Sequence, residues 1–538
     1  MSILTEQHPM VVMAVNPKEV AVPADWLLTG GPVVTFDPAV PETTALAVAA
    51  GRVLALGDEA LALAGPETKR TDLGGAVVLP GFCDTHIHFE KVSHELTMLE
   101  LGHTRSLAEV LAKVGERANG SWIRCIGDNA GWHERNLAEG RLPSRAELDE
   151  AAGDSPVFLY RRPDRAALNS AAIARLADTL SAFSADEWDP ETGLLRGAAV
   201  RVVNDGLFRP ELHDPEHRLA MLAQASRRLL GMGVTSVVDP GLPGGFDASW
   251  RLYEQARRND LVAQRVLLMN RIDWREPFDE EFDRVTAAAV PPGTGDDRLR
   301  AWAIKIILDG EFVGAWMRGS AEGARYSTGE LTRIMEFCAR RDWPICLHAM
   351  GGGAIEAVID AVRRTRPRPG RVSIAHAFLI EAEDVAACAE LGIRVSVQPA
   401  LAYTYAREMR ESWGALARNA VPLGMMARHG FRFAGGSDTH PCDPLTGAMI
   451  AVTRKAWDGS DLGEREALTA AQALAMYTRD AGHYTGSPEL GVLAPGAKAD
   501  FVVWPVDPLR RAPETWPGLR PELVAIDGRP VWADEKGQ

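Results

Sequence analysis

Cysteine is scarce and unpatterned: six occur among 538 residues, none in a CxxC spacing, and a chain of this length needs no disulfide staples. They read as reduced, buried thiols. No apolar run approaches the roughly 20 residues that span a bilayer. The opening MSILTEQHPMVVMAVNPKEV holds a short apolar run, Met10 to Val15, with no basic residue before it, which does not make a secretory signal. The expected compartment is the cytoplasm. Positive charge is also in deficit, with 58 Lys+Arg against 73 Asp+Glu and a formal net charge of −15. Such a surface does not attract phosphate backbones or anionic lipid, so neither nucleic acid nor membrane is an expected partner. Low-complexity tracts and tandem repeats are missing too, and 46% hydrophobic with 24% charged residues is the composition of a folded globular protein.

The apolar segments fall into two kinds. From Asp25 to about Leu79, short β-branched runs such as DWLLTGGPVVTFD and ALAVAAGRVLALGD end in Gly or Asp turn chemistry. A matching pattern returns only at the far end, in GVLAPGAKADFVVWPVD and ELVAIDGRPVWAD, so both ends are expected to build one small β-sandwich. Between them, eight apolar runs alternate with helical stretches: AVVLPGFCDTHIH, VTSVVDP, QRVLLMN, WAIKIILDG, WPICLHA, VSIAHA, IRVSVQP and FRFAGGSD. That alternation is the signature of an α/β fold, a (β/α)8 TIM barrel. The first two strands stand much farther apart than a crossover helix requires, which predicts an α/β insertion after strand 1. The expected division is an N-terminal extension over 1–24, the first part of the sandwich over 25–78, the barrel over 79–488 with its insertion at 101–219, and the second part of the sandwich over 489–538. The acidic cluster from Asp279 to Asp283 reads as a solvated helix face.

Polar residues recur at the C-terminal ends of these strands, where barrel enzymes place their chemistry. His86 and His88 are two apart, so on a strand they face one way and can share a metal; alone, an HxH pair equally suits a structural role. Lys305 lies in WAIKIILDG, His348 in WPICLHA, His376 in VSIAHA and Asp438 in FAGGSD. Buried His, Lys and Asp are costly unless paired or metal-bound, and neutral imidazoles with a carboxylate suit Zn²⁺ or a similar ion.

The strings LPGFCDTHIH, AIKIILDG, LHAMGGGA, IAHA, GGSD and LAPGAKADFVV together resemble the metal-dependent amidohydrolase superfamily, specifically the family 3 branch of long amidohydrolases that includes N-substituted formamide deformylases. The resemblance runs from Asp25 to Ala533. It implies two divalent ions, Zn²⁺ first among them: His86, His88 and Asp438 on one, His348 and His376 on the other, and a carboxylated Lys305 bridging both. A carbamate needs a neutral amine, and desolvation lowers a lysine pKa in that direction. The alternative is a plain Lys305 ammonium paired with Asp438. Three positions depart from the family pattern: Gly352 and Ala375 replace carboxylates often found there, and RRPDRAALNS has Asp164 and Arg165 where a histidine is usual.

Trp132, His133, Arg161, Trp316 and Tyr403, with Tyr405, sit on candidate loops that could line an aromatic-rich pocket, and His440 follows Asp438 closely enough to meet substrate. The resulting expectation is an amidohydrolase, acting on a small molecule by metal-activated water, with Asp438 as the catalytic proton carrier. The substrate class is an N-acyl or N-formyl amide with an apolar or aryl portion. A deaminase or cyclic-amide hydrolase on the same barrel is the alternative, and a metal-free binding protein is disfavoured. A homodimer is the assembly to test.

Overall fold

The computed structural model describes residues 23–95, 98–102, 104–126, 134, 137–161, 165–242, 245–439 and 441–533. Trp132, His133 and His440 lie outside them. The chain folds as a (β/α)8 barrel accompanied by three further sheets.

The barrel strands are strand 1 (Phe82–Asp84), strand 2 (Val234–Asp239), strand 3 (Arg265–Arg271), strand 4 (Leu299–Ile307), strand 5 (Ile345–Ala349), strand 6 (Val372–His376), strand 7 (Arg394–Val397) and strand 8 (Ala434–Gly435), neighbours in that order. Every pairing is parallel. Their near-continuous Val, Ile, Leu and Ala runs suit strands covered on both faces, and strands 2, 5 and 6 are buried along their whole length. The cylinder closes between strands 1 and 8. There Thr85 N–H donates to Gly435 O at 3.2 Å, His88 N–H to Asp438 O at 3.1 Å, and Ile87 and Asp438 form a parallel bridge. Closure at this seam needs Gly436, because a Cβ there would stand 2.7 Å from His86 N.

One expectation needs refining. The run AVVLPGFCDTHIH is not a single barrel strand: Val77–Pro80 pairs antiparallel with Phe501–Trp504 in the sandwich, while Phe82–Asp84 pairs with barrel strand 2. Gly81 is the pivot. Its N–H donates to Asp500 O at 2.9 Å, and a Cβ would lie 2.2 Å from Thr235 Oγ1.

Both chain ends meet in a six-stranded sheet, in which Val33–Val34, Glu42–Thr43 and Val77–Pro80 share hydrogen bonding with Phe501–Trp504, Leu523–Ile526 and Arg529–Ala533. A four-stranded sheet containing Trp26–Thr29 packs against it through Trp26, Leu46, Val78, Phe501 and Ala525. The stretch between barrel strands 1 and 2 has a six-stranded sheet of its own, from Leu99–Glu100 to Leu194–Arg196, with a separate core around Leu107, Val110, Leu148 and Leu159. No helix among the described residues is long and apolar enough to cross a membrane.

The acidic cluster does not behave as one solvated face. Helix Phe278–Thr286 exposes Asp279, but Glu281 is buried, accepts from Asp273 N–H at 2.7 Å and pairs with Arg284 at 2.7 Å. The helical period turns this one acid inward, so a run of like charges hid a structural ion pair.

Sandwich and barrel are bolted together by Arg265 at the start of strand 3. Its buried guanidinium reaches Asp500 at 2.7 and 2.9 Å and also pairs with Asp527. Removing one partner strands a buried charge, at a cost of about 3–5 kcal/mol. Arg265→Met is therefore expected to lower the unfolding free energy by about that amount in urea titration, and Asp500→Asn in the Arg265→Met background to recover part of it.

Candidate metal centre

In a parallel barrel the strand ends at one mouth converge, and the chain continues past strand 1 into Thr85, His86, Ile87 and His88. Alternation along this extended segment turns both imidazoles the same way. His86 Nε2 stands 3.2 Å and His88 Nε2 3.5 Å from Asp438 Oδ1. Among the described residues these three form the one group whose ligand atoms all lie within 4.8 Å of one another. Strands 5 and 6 bring His348 and His376 to a ring-centroid separation of 4.2 Å, and His376 lies 5.0 Å from His86. Lys305 rises from strand 4, fully buried, with Nζ 3.9 Å from Cys346 Sγ. It forms no ion pair with Asp438 among the described residues, contrary to the alternative that such a pair would satisfy it.

Left-handed backbone occurs at three positions here. His376 has φ +81°, Ala377 +51° and Asp438 +65°, a region that costs residues with a Cβ about 1–3 kcal/mol each. The surroundings over-determine these conformations: Ala377 N–H donates to Ala349 O at 3.0 Å, and Asp438 is clamped on both sides of its peptide by His86 O and His88 N.

Burial governs the electrostatics. Desolvation, reinforced by the nearby Lys305 charge, brings His86 down to about 4, and desolvation holds His88, His348 and His376 well below the usual imidazole value. All four are neutral at physiological pH. Burial likewise lowers Lys305, toward the free amine. Burial alone would raise Asp438, but the hydrogen bond from His86 holds it well below the carboxylate range. His86 Nδ1, His376 Nδ1 and His348 Nε2 are buried without a hydrogen-bond partner. Orphaned imidazole nitrogens beside a carboxylate are the donor set a divalent cation takes, so the residues fit a metal. His88 and Asp438 keep 17% and 16% of their side chains exposed, which marks the side from which water and substrate arrive.

Two carboxylates that were not singled out from the sequence hold this arrangement. Asp84 accepts from His86 N–H at 3.1 Å, Ser437 N–H at 3.0 Å and Ser437 Oγ–H at 2.6 Å, tying strand 1 to strand 8; burial pushes its carboxyl up to about 7. Asp309 accepts from the backbone N–H groups of Trp316, Met350 and Gly351 at 3.0, 3.0 and 2.8 Å, and its Oδ1 lies 3.5 Å from His348 Nε2. Burial raises it to about 6. Their place two residues before one candidate ligand and four after another was the signal available.

Of the expected pocket residues, Arg161 ends an insertion strand and pairs with Glu134 at 3.0 Å. Trp316 is a loop anchor: its indole N–H donates to Ser320 O at 2.6 Å, and its ring lies where a Cβ on Gly353 would stand, 2.8 Å away. Tyr403 is half-buried in helix Pro399–Thr404, within the field of Arg105 from the insertion. Among the described residues the aromatic ring that meets an imidazole is another. Phe378 lies edge-on to His376 at 6.4 Å, and Phe312 packs on Tyr405 at 5.2 Å and Trp413 at 5.6 Å. Ala375 is fully buried in strand 6, and Gly352 begins helix Gly352–Thr365, so neither replaced carboxylate is compensated at its own position.

The sequence pattern of the amidohydrolase family matches residues 70–532. The chain belongs to the amidohydrolase family. It is a metal-dependent hydrolase acting on carbon–nitrogen bonds. This amidohydrolase is 27% identical over 542 aligned residues to the N-substituted formamide deformylase of Arthrobacter pascens, covering 94% of the chain and 97% of that protein. Its fold matches a metal-dependent hydrolase from Pyrococcus horikoshii OT3 with a TM-score of 0.71 at 22% identity, over 91% of this chain and 99% of that one. The atrazine chlorohydrolase TrzN from Arthrobacter aurescens TC1, complexed with zinc, matches with a TM-score of 0.56 at 17% identity, over 95% and 98%. At these identities the two structures speak to the fold alone.

Asp309→Ala would leave three N–H donors without an acceptor, and the two buried ones, of Met350 and Gly351, cost about 1–3 kcal/mol each. The amidohydrolase variant is expected to lose at least about 2 kcal/mol in urea unfolding, with Asp309→Asn, which keeps one carbonyl oxygen, falling between it and wild type.

Proposed function

We propose that this amidohydrolase cleaves an N-acyl or N-formyl amide with an apolar or aryl portion. The observation that carries the reading is the convergence of His86, His88, Lys305, His348, His376 and Asp438 at one barrel mouth, with buried imidazole nitrogens lacking any hydrogen-bond partner. In this reading His86, His88 and Asp438 would hold one divalent ion and His348 and His376 a second, with a carboxylated Lys305 as a further ligand and zinc the first candidate. The aromatic group around Phe378 favours an apolar substrate portion, and the formamide-directed relative favours the formyl option. Six buried cysteines, none in a disulfide among the described residues, accord with the cytoplasm.

When bound, the ions supply a Lewis acid for the carbonyl oxygen and lower the pKa of water. The remaining chemistry falls to the chain. Asp438, held ionised and partly open to solvent, takes the proton of the attacking water on its carboxylate and delivers it to the departing nitrogen. The four imidazoles stay neutral. Asp84 and Asp309 position His86 and the loop beyond His348.

Purified active protein is expected to carry close to two divalent ions per chain by elemental analysis; one or none would reject the paired arrangement. Lys305→Ala should lose both metal and activity, with partial recovery on adding short carboxylates that replace a carbamate.

Asp438→Asn tests the proton shuttle. At equal metal content kcat on an amide should fall by about 10²–10⁴-fold or more, whereas a matched activated aryl ester, whose leaving group needs no proton, should suffer less. Near wild-type rates on both substrates would remove Asp438 from that role.

A further inference from the structure

Glu90 stands two residues beyond His88, at the start of helix Phe89–Glu95, and its carboxylate is buried. Oε1 accepts from Arg218 Nε–H at 2.9 Å and from its Nη2–H, while Oε2 accepts from Ser249 Oγ–H at 2.6 Å. The Glu90 N–H donates to Asp239 Oδ2 at 3.3 Å, and Asp239 is in turn held by Tyr253 Oη–H at 2.6 Å and Gly241 N–H at 2.9 Å. Four elements thus meet at one residue: the helix after strand 1, helix Pro215–Leu230, helix Phe246–Arg258 and the end of strand 2.

Through Phe89–Glu95 the chain leaves strand 1 for the insertion, and through Pro215–Leu230 it returns to strand 2. The Glu90–Arg218 pair joins the outgoing stem to the returning one, and one turn farther along the first helix the ring of His94 stacks on that of His217 at 6.0 Å. His88 is tied to the clamped helix: its carbonyl accepts from Val92 N–H at 2.7 Å, while its N–H donates to Asp438 O at 3.1 Å. A shift of that helix therefore moves His88 relative to Asp438. Packing restrains the His88 ring less than that of its neighbour, since its side chain is 17% exposed against 1% for His86.

We propose that Glu90 is a positioning residue for His88: by clamping the two stems of the insertion together, it sets where the His88 imidazole stands against Asp438, and with it the affinity for the divalent ion these residues share with His86. This rests on the reading of His86, His88 and Asp438 as ligands of one ion. Outer partners that orient a ligand are typically worth about 10–100-fold in metal affinity. An amide at position 90 does not replace the carboxylate, because it removes the charge that Arg218 meets and strands a largely buried guanidinium.

The test counts the zinc retained by zinc-replete, full-length protein against rising concentrations of a chelator. His88→Ala identifies the release step that belongs to the ion held by His86, His88 and Asp438. Glu90→Gln is expected to weaken binding in that step by about 10–100-fold and to leave the other step in place. Combining Glu90→Gln with Arg218→Met removes the stranded charge as well, so the double variant should regain its urea midpoint yet keep the weakened step. It also carries the test if the single variant does not fold. A wild-type release step in either folded variant makes Glu90 a structural ion pair only and overturns the proposal. Equal weakening of both steps, restored together with stability in the double variant, overturns it too. Wild-type protein in which no step responds to His88→Ala overturns the ligand reading itself, and the proposal with it.

Discussion

The seam between the first and last barrel strands is the constraint on which the rest depends. Closing a parallel cylinder requires backbone pairing between segments separated by most of the chain, and here the pairing passes through the candidate ligands. His88 donates to the Asp438 carbonyl, Ile87 bridges Asp438, and Asp84 accepts from both His86 and Ser437. Barrel closure and site assembly are therefore one event. Gly436 permits the close approach, and the left-handed backbone of Asp438 is the local cost, offset by the hydrogen bonds that closure creates.

Burial at that seam sets the chemistry. Imidazoles removed from water lose their protons and present lone pairs, a buried lysine moves toward the free amine, and a carboxylate surrounded by histidines stays ionised. The protein core thus prepares a set of donors in the protonation states that divalent cations require. The same desolvation raises Asp84 and Asp309, whose hydrogen-bonded amides and hydroxyl hold them in place.

Peripheral parts serve the same centre by anchoring the strands. Arg265 fastens the start of strand 3 to Asp500 and Asp527 of the terminal sheet, and Gly81 passes the chain from that sheet into strand 1. The insertion reaches the segment beyond strand 7 electrostatically, where Arg105 acts on Tyr403.

Much of this was legible in the residues alone. Alternating apolar runs and helical stretches specify the barrel, because strands covered on both faces must be apolar throughout, and polar residues at their ends mark the mouth. His86, His88, Lys305, His348, His376 and Asp438 are visible for that reason: each interrupts or ends an apolar run, where packing alone does not explain it. Other features depend on contacts between distant segments. The split of strand 1 at Gly81 follows from Thr235 and Asp500, the inward turn of Glu281 from Asp273 and Arg284, and the roles of Asp84 and Asp309 from the amides they meet. Phe378, rather than Trp316, borders His376 because loop paths, not residue type, decide which aromatic ring reaches the mouth. Periodicity along a chain encodes which residues must be buried; which buried group meets which is decided only when the barrel closes.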